Sequence, residues 1–204
     1  MLAIQHLTST GIKPENIHIV GESAGGAIIL QLLSHILHPL PDYSCPQLTL
    51  EESQKLGSAC IMSPWVSLNG KTGSHLTNSD HDVLPASTWA YLGEQSLPSF
   101  YSESSRPYME ALNVPENWFS KIGDIVGGVM ITVGENECLR DDVLEVAKKF
   151  EAVSRGKEFL TTVVDKNGVH NGQYLDIMAG EQQQGDLTIK IIRWLEKNLF
   201  RPVN

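Results

Sequence analysis

The residues with the clearest chemical potential lie in the segment Gly21-Glu22-Ser23-Ala24-Gly25-Gly26, where one serine stands between two apolar stretches. The residues before it alternate in polarity, as a strand does near its end, and residues 24–33 form an apolar helical run. A serine hydroxyl becomes a nucleophile when a base removes its proton and a tight turn presents it to the substrate. Gly21 and Gly25 are expected to let the strand and the helix approach closely. The pattern predicts a nucleophile elbow at Ser23, with helix N–H groups available to an oxyanion.

A base and an acid follow the serine in the chain order that such a turn uses. His170 comes just after a predicted strand over residues 159–164, and an acidic loop over residues 134–142 follows a predicted strand over residues 126–133. An imidazole can take the serine proton, and a carboxylate can orient that imidazole and stabilise its charged form. The order alone leaves several acids of the loop open, among them Glu135, Glu137 and Asp141.

The elements that must position these groups alternate between strand and helix, which favours an α/β fold with a mainly parallel sheet flanked by helices. Strands are predicted over residues 16–20, 57–62, 126–133 and 159–164, and helices over residues 2–10, 24–33, 141–154 and 185–199. The strand over 126–133 is apolar on both faces, as in a buried parallel sheet. The first helix is predicted to pack through Leu2, Ala3 and Leu7, and the last through Leu187, Ile191, Leu195 and Leu199.

Residues 1–204 are predicted to form a single domain in which residues 66–123 are a long excursion between two strands. The excursion is rich in Ser, Asn, Gly and Pro, and only short helices around 83–95 and 106–112 are expected in it. Such a segment often carries function in a compact domain. It is expected to pack over the sheet, to form part of a lid or acyl-pocket wall, or to do both.

Composition and charge narrow the class of partner. The formal net charge of −9 disfavours nucleic acid and anionic membrane surfaces. No run of residues is long and apolar enough for a transmembrane segment, and residues 1–11 lack the features of a signal peptide. The three cysteines, Cys45, Cys60 and Cys138, suggest neither a disulfide framework nor a metal motif, and Cys60 is predicted to be a core residue. We therefore expect a cytoplasmic location.

No metal and no cofactor are expected. The one close histidine pair, His35 and His38, lacks further ligands and is interpreted as cationic groups near the end of a helix. His75 and His81 lie in a polar loop and are predicted to be solvated.

Four segments together resemble the hormone-sensitive-lipase-like branch of the α/β-hydrolases, the fold-3 esterases: Gly-Glu-Ser-Ala-Gly-Gly from Gly21, Ser63-Pro64-Trp65, Gly-Glu-Asn-Glu-Cys-Leu-Arg-Asp from Gly134, and Gly168-Val169-His170. The resemblance runs over essentially the whole chain. It implies the C-terminal part of an α/β-hydrolase fold.

The resemblance also implies the site residues. The acid of this family is the fourth residue of the Gly134 segment, which is Glu137, and the Ala24 N–H would help to bind the oxyanion. Aspartate is commoner than glutamate at positions 22 and 137 in the family. Glu135 and Asp141 remain alternative acids, although Arg140 and Asp141 are interpreted as a helix-capping ion pair.

One segment of the family pattern is absent. The His-Gly-Gly-Gly segment that supplies most of the oxyanion hole does not occur in the sequence, and the residues before Ser23 are too few for the strands that normally come first. The resemblance therefore implies an N-terminally incomplete domain whose elbow strand lacks a neighbour. We expect self-association, or a second polypeptide, at the exposed edge of that strand.

The sequence thus predicts a serine carboxylic-ester hydrolase that acts on a small-molecule ester through Ser23, Glu137 and His170, with an acyl-enzyme intermediate. The alternative is a catalytically impaired hydrolase remnant that serves as a binding or assembly module. The missing oxyanion segment favours this alternative, since the loss of one oxyanion donor costs about 10²–10³ in rate.

Overall fold

Four parallel strands form the centre of the protein. The computed structural model describes residues 1–40, 47–48, 50, 54–70, 73–97, 102–153 and 158–200. The strands, which lie in the order β1-β2-β3-β4, are β1 (His18–Glu22), β2 (Ser58–Met62), β3 (Val129–Gly134) and β4 (Leu160–Asp165). Each neighbouring pair is parallel. Since parallel strands need crossover connections, helices separate them along the chain, as the alternating pattern predicted.

The helices of the described residues are α1 (Leu2–Ser9), α2 (Ala24–Leu37), α3 (Ser74–Thr77), α4 (Ala86–Ser96), α5 (Arg106–Met109), α6 (Ile122–Ile125), α7 (Arg140–Val153), α8 (Gly172–Ala179) and α9 (Asp186–Leu199). Two short 3₁₀ turns occur at Pro14–Asn16 and Ala111–Asn113. None of the helices in these residues is long and apolar enough to cross a lipid bilayer.

The alternation of side chains along the strands gives the sheet two buried faces. One face packs against α2 and α7 in the main core, with Ile61 and Ile131 among its strand residues. The other face carries Cys60 and Met130 and is covered by α9. Every residue of β3 is buried, so the prediction of a strand that is apolar on both faces is confirmed. The prediction that Cys60 is a core residue is also confirmed.

The predicted packing of the two terminal helices is partly wrong. In α1 the buried residue is Ile4, while Leu2 is 69% exposed. In α9 the sheet covers Leu187 and Ile191, but Leu199 lies at the end of the helix and is exposed. Ala3 and Leu7 are exposed as well, so α1 buries a different side from the predicted one, whereas only the last turn of α9 departs from the prediction.

In its described residues, the excursion between β2 and β3 contains the four helices α3 to α6. The helices predicted around 83–95 and 106–112 correspond to α4 and to α5 with the following 3₁₀ turn. Val66, Trp89 and Phe119 of this segment are buried in the main core. The excursion therefore packs on the layer that contains α2 and α7.

The prediction of a solvated His75 is wrong. This side chain is fully buried, and its Nε2 atom lies 3.3 Å from Asp142 Oδ2 at the start of α7. His81 is exposed, as expected. The difference arises because α3 is folded against α7, which sequence composition alone does not indicate.

Candidate active site

Ser23 occupies the turn between β1 and α2. Its backbone has φ 55° and ψ −116°, a conformation that non-glycine residues rarely adopt. The Ser23 N–H donates to the Met62 carbonyl oxygen at 2.9 Å, and the Trp65 N–H donates to the Ser23 carbonyl oxygen at 3.1 Å. Both bonds tie the turn to the end of β2. The strained serine is thus held at the carboxyl edge of the sheet.

Close packing around the turn explains two of its three glycines. A Cβ atom on Gly21 would lie 2.5 Å from the Gly25 carbonyl oxygen, so the prediction for Gly21 is confirmed. The prediction for Gly25 is wrong, because a Cβ atom there would meet nothing within 4 Å. The tight position is Gly26, where a Cβ atom would lie 2.9 Å from Pro64 Cβ. The helix therefore approaches the end of β2 through Gly26.

The structure brings together the three side chains that the sequence singled out. His170 Nε2 lies 2.9 Å from Ser23 Oγ, and His170 Nδ1 lies 3.0 Å from Glu137 Oε2. A carboxylate beside Nδ1 accepts a hydrogen bond from the Nδ1–H group. The lone pair of Nε2 is then free to accept the serine proton. Glu137 and His170 are almost completely buried. The three groups form the hydrogen-bonded series that a serine nucleophile needs.

The second oxygen of Glu137 has partners of its own. Glu137 Oε1 accepts a hydrogen bond from Ser63 Oγ at 2.6 Å and another from the Gly134 N–H at 2.5 Å. Ser63 follows β2 and has φ 41°, a region that non-glycine residues rarely adopt. The two hydrogen bonds satisfy the oxygen of the buried carboxylate that does not face His170. Sequence reasoning had marked Ser63 only as part of a family motif and had given it no role.

The two alternative acids lie away from the histidine ring and have other partners. Glu135 is exposed, and its Oε2 atom accepts the Asn167 N–H at 2.9 Å. Asp141 accepts the Ser74 N–H at 2.8 Å and pairs with Arg140 Nε at 2.9 Å. The predicted ion pair between Arg140 and Asp141 is therefore confirmed, and Glu137 is the acid beside His170.

Two further groups near the site have raised pKa values. Burial raises the pKa of the Glu22 carboxyl; the nearby His170 opposes this shift and Glu137 adds to it. Burial, with the negative charge of Asp82 as a further cause, raises the pKa of the Cys138 thiol to about 12. Cys138 is therefore a thiol at neutral pH and offers no second nucleophile.

Aromatic rings form one wall of the site. The Trp89 ring meets the His170 ring edge-on, with centroids 4.9 Å apart, and the Trp65 ring lies 5.7 Å from that of Trp89. Trp89 is 3% exposed. Its position in the middle of α4 brings part of the excursion against the histidine. The sequence had indicated scattered aromatics but not which of them reaches the site.

Ala24 is the first residue of α2 and follows the serine directly. The first N–H groups of a helix have no acceptor within the helix, and they lie at the positive end of its dipole. The Ala24 N–H is therefore suited to bind a developing oxyanion beside Ser23. Within the described part of the chain, no group of three or more His, Cys, Asp or Glu side chains is arranged to hold a metal ion.

Comparison with known proteins identifies one protein family and one related protein with the same description. Residues 1–186 match the family model Say1_Mug180, described as steryl acetyl hydrolase. The Schizosaccharomyces pombe protein mug81, whose name assigns it provisionally to the steryl acetyl hydrolases, is 30% identical over 181 residues. That match covers 84% of this chain and 43% of mug81.

Solved structures show the same fold. An esterase from the bacterial hormone-sensitive lipase family superposes with a TM-score of 0.72 at 19% identity, covering 97% of this chain and 58% of that one. The esterase EstE5, from a crystal soaked with p-nitrophenyl butyrate, gives a TM-score of 0.68 at 21% identity, covering 96% and 56%. The chain thus spans less than two thirds of the length of these relatives. On the family match, it belongs to the Say1_Mug180 family of steryl acetyl hydrolases and has the α/β-hydrolase fold.

Proposed function

We propose that the chain carries the catalytic centre of a carboxylic-ester hydrolase that works through an acyl-enzyme on Ser23. The observation that supports this most directly is the continuous hydrogen-bonded series from Ser23 Oγ through the His170 ring to Glu137, with spacings of 2.9 Å and 3.0 Å. These distances lie within hydrogen-bond reach for proton transfer.

In this mechanism Ser23 Oγ attacks the acyl carbon of the ester while His170 Nε2 takes the hydroxyl proton. Glu137 accepts the hydrogen bond from Nδ1 and stabilises the imidazolium that forms. The imidazolium then gives its proton to the departing alcohol, and the acyl group remains bound to Ser23 Oγ. A water molecule, deprotonated by the same imidazole, attacks the acyl-enzyme and releases the acid.

The negative charge of each tetrahedral intermediate requires donors that are already in place. The Ala24 N–H is the donor that this chain contributes to our mechanism, from the N-terminus of α2. One such donor is worth about 10²–10³ in rate.

For the substrate we propose an acetyl ester of a bulky apolar alcohol, of the steryl acetate class. The support for this class is the family description and the name of the yeast relative. The apolar wall of Trp65 and Trp89 beside His170 is compatible with an apolar alcohol. The small size of an acetyl group is compatible with a short-chain test ester.

The test is hydrolysis of p-nitrophenyl acetate by the purified chain, with Ser23→Ala as the paired variant. We expect a burst of p-nitrophenol from acyl-enzyme formation, and a loss of about 10⁴-fold or more in rate for Ser23→Ala. Equal rates in the two proteins would overturn the proposed mechanism.

We also propose that the chain associates with a second copy of itself at the open side of β1. Within the described residues this strand pairs with β2 and is the first strand of the four-stranded sheet. The outer strand of a sheet can add a strand of another chain through its backbone N–H and C=O groups. Val20 of β1 is 52% exposed, so an apolar group lies beside that edge.

A further inference from the structure

We propose that Asp82 is a positioning residue that fixes the loop of the base and the loop of the acid relative to each other. Asp82 lies in the excursion, between α3 and α4, and belongs to neither loop. The inference rests on the proposed function of Glu137 and His170. It goes beyond that function because it assigns a role to a carboxylate outside the catalytic series.

The carboxylate of Asp82 accepts backbone hydrogen bonds from both loops at once. Its Oδ1 atom accepts the His170 N–H at 2.9 Å, and its Oδ2 atom accepts the Cys138 N–H at 2.8 Å. Cys138 is the residue directly after Glu137. One side chain therefore connects the backbone of the base to the backbone next to the acid.

The rest of the segment holds this carboxylate in place. The Val83 N–H donates to Asp82 Oδ1 at 2.8 Å, which fixes the side chain against its own backbone. Asn78, four residues earlier, donates from Nδ2 to the carbonyl oxygens of Glu135 and Glu137 at 3.1 Å and 2.9 Å. Asn78 thus binds the acid loop through its carbonyls, while Asp82 binds it through an N–H.

These contacts matter because proton transfer depends on the distance between the triad side chains. N–H bonds to an ionised carboxylate are stronger than neutral ones. A misplacement of about 1 Å in a catalytic group can cost about 10²-fold in rate. Asp82 binds a backbone N–H of each loop and lies beside the Cys138 thiol, but among the described hydrogen bonds it makes none to the side chain of His170 or Glu137. Its effect on the reaction therefore passes through the positions of those two residues.

Replacement by asparagine tests the role with little change in size. An amide has one acceptor oxygen, so Asp82→Asn keeps at most one of the two hydrogen bonds to the loops. Its NH₂ group then faces the N–H of the other loop. Asp80→Asn is the matched control, because Asp80 is exposed, two residues away, and loses the same charge. We expect Asp82→Asn to lower kcat for p-nitrophenyl acetate by about 10²-fold with KM unchanged. Asp80→Asn should leave both constants unchanged.

A readout that does not need turnover separates this inference from the proposed function. The proton between His170 Nδ1 and Glu137 gives a downfield NMR signal, which we expect in the unmodified chain and in Asp80→Asn. In Asp82→Asn the signal should broaden or disappear while the thermal midpoint and the circular dichroism stay close to those of the control. An unchanged downfield signal and kcat in Asp82→Asn would overturn the inference.

The test of Asp82 remains valid if the proposed function fails or if the variant does not fold. If Ser23→Ala and the unmodified chain hydrolyse the ester equally, the proposed function fails, but the NMR signal still tests Asp82. If Asp82→Asn does not fold, hydrogen exchange of the unmodified chain replaces it. The His170 and Cys138 amide protons should then be protected to the same degree, and rapid exchange of either would contradict the bridge.

Discussion

At the scale of single residues, the two oxygen atoms of Glu137 have different tasks. Oε2 faces the His170 ring, while Oε1 accepts hydrogen bonds from Ser63 Oγ and the Gly134 N–H. The carboxyl group is buried, so both of its oxygens need hydrogen-bond partners. Gly134 permits this approach, since a Cβ atom there would lie 3.0 Å from Glu137 Oε1.

Glu137→Gln should therefore lower turnover steeply. If the glutamine turns its NH₂ group toward His170, the Nδ1–H group loses its acceptor. If it turns its oxygen toward His170, its NH₂ group faces the donors of Ser63 and Gly134. In the serine-protease template the comparable change lowers kcat by about 10⁴-fold. We expect a loss of about 10³–10⁴-fold in kcat for a p-nitrophenyl ester.

The matched control is Glu135→Gln, two residues away, where the side chain is exposed and accepts only the Asn167 N–H among the described hydrogen bonds. This variant should keep more than half of the activity. A result in which Glu135→Gln or Asp141→Asn loses activity and Glu137→Gln does not would show that the acid has been assigned wrongly.

Sequence could identify the three triad candidates but not their supporting residues. Ser23 and His170 lie at strand ends in a recognisable order, and a family motif selects Glu137 from its loop. Ser63 and Asp82 reach the site from 74 and 88 residues away along the chain from Glu137 and His170, respectively. The role of Ser63 depends on the pairing of β2 with β3, and that of Asp82 on where the excursion folds. No local pattern encodes either.

At the scale of elements, the junction of β1 and α2 determines where the nucleophile lies. The turn at Ser23 is bonded to the end of β2, and Gly26 lets the first turn of α2 approach Pro64. A larger side chain at position 26 would push the helix away from the sheet or deform the turn. The position of Ser23 therefore depends on the small size of Gly26.

This dependence predicts different effects for two neighbouring glycines. Gly26→Ala should destabilise the protein by about 1–3 kcal/mol, because its Cβ atom would lie 2.9 Å from Pro64 Cβ and 3.3 Å from Ile61 Cγ2. Gly25→Ala should change stability by less than about 0.5 kcal/mol, since its Cβ atom would enter open space. Urea unfolding of both variants measures the difference.

Equal stabilities for the two variants would mean that α2 can shift away from Pro64 at little cost. The sequence alone favoured the other glycine of the pair, Gly25, because the motif names that position. The motif describes spacing along the chain, whereas the contact that needs a glycine is made by the residue one position later, which points at the end of β2.

The long elements with a buried side were predictable, and several short helices were not. The strands and the helices α2 and α7 have apolar side chains at the spacing of their buried faces, which sequence periodicity detects. The four-residue helices α3 and α6 were not predicted although they contain buried residues. Helix α8, which has no buried residue, was not predicted either, because its 8 residues are too few for a periodic face to be recognised.

At the scale of the whole molecule, the four strands follow chain order and leave β1 at one edge of the sheet. The turn that contains Ser23 thus follows an edge strand of the described sheet. Helix α9 packs against β2 and β4, and Val20 on β1 is 52% exposed. The chain spans 43% of the length of mug81 and 58% of the bacterial esterase. The family resemblance had predicted an exposed edge at the elbow strand, whereas composition and charge gave no indication of it.

The exposed side of β1 predicts self-association that one substitution should reduce. We expect the purified chain to sediment at micromolar concentration as a dimer or larger species in analytical ultracentrifugation. Val20→Lys places a charge beside the edge, where burial against another chain would require its desolvation, and should shift the protein toward monomer. Val164→Lys is the matched control on β4, because Val164 has a similar exposure of 43%. If both variants dissociate equally, or if the unmodified chain is already monomeric, β1 is not the contact, since an interface at β1 must respond to Val20 more strongly than to a valine on the opposite strand.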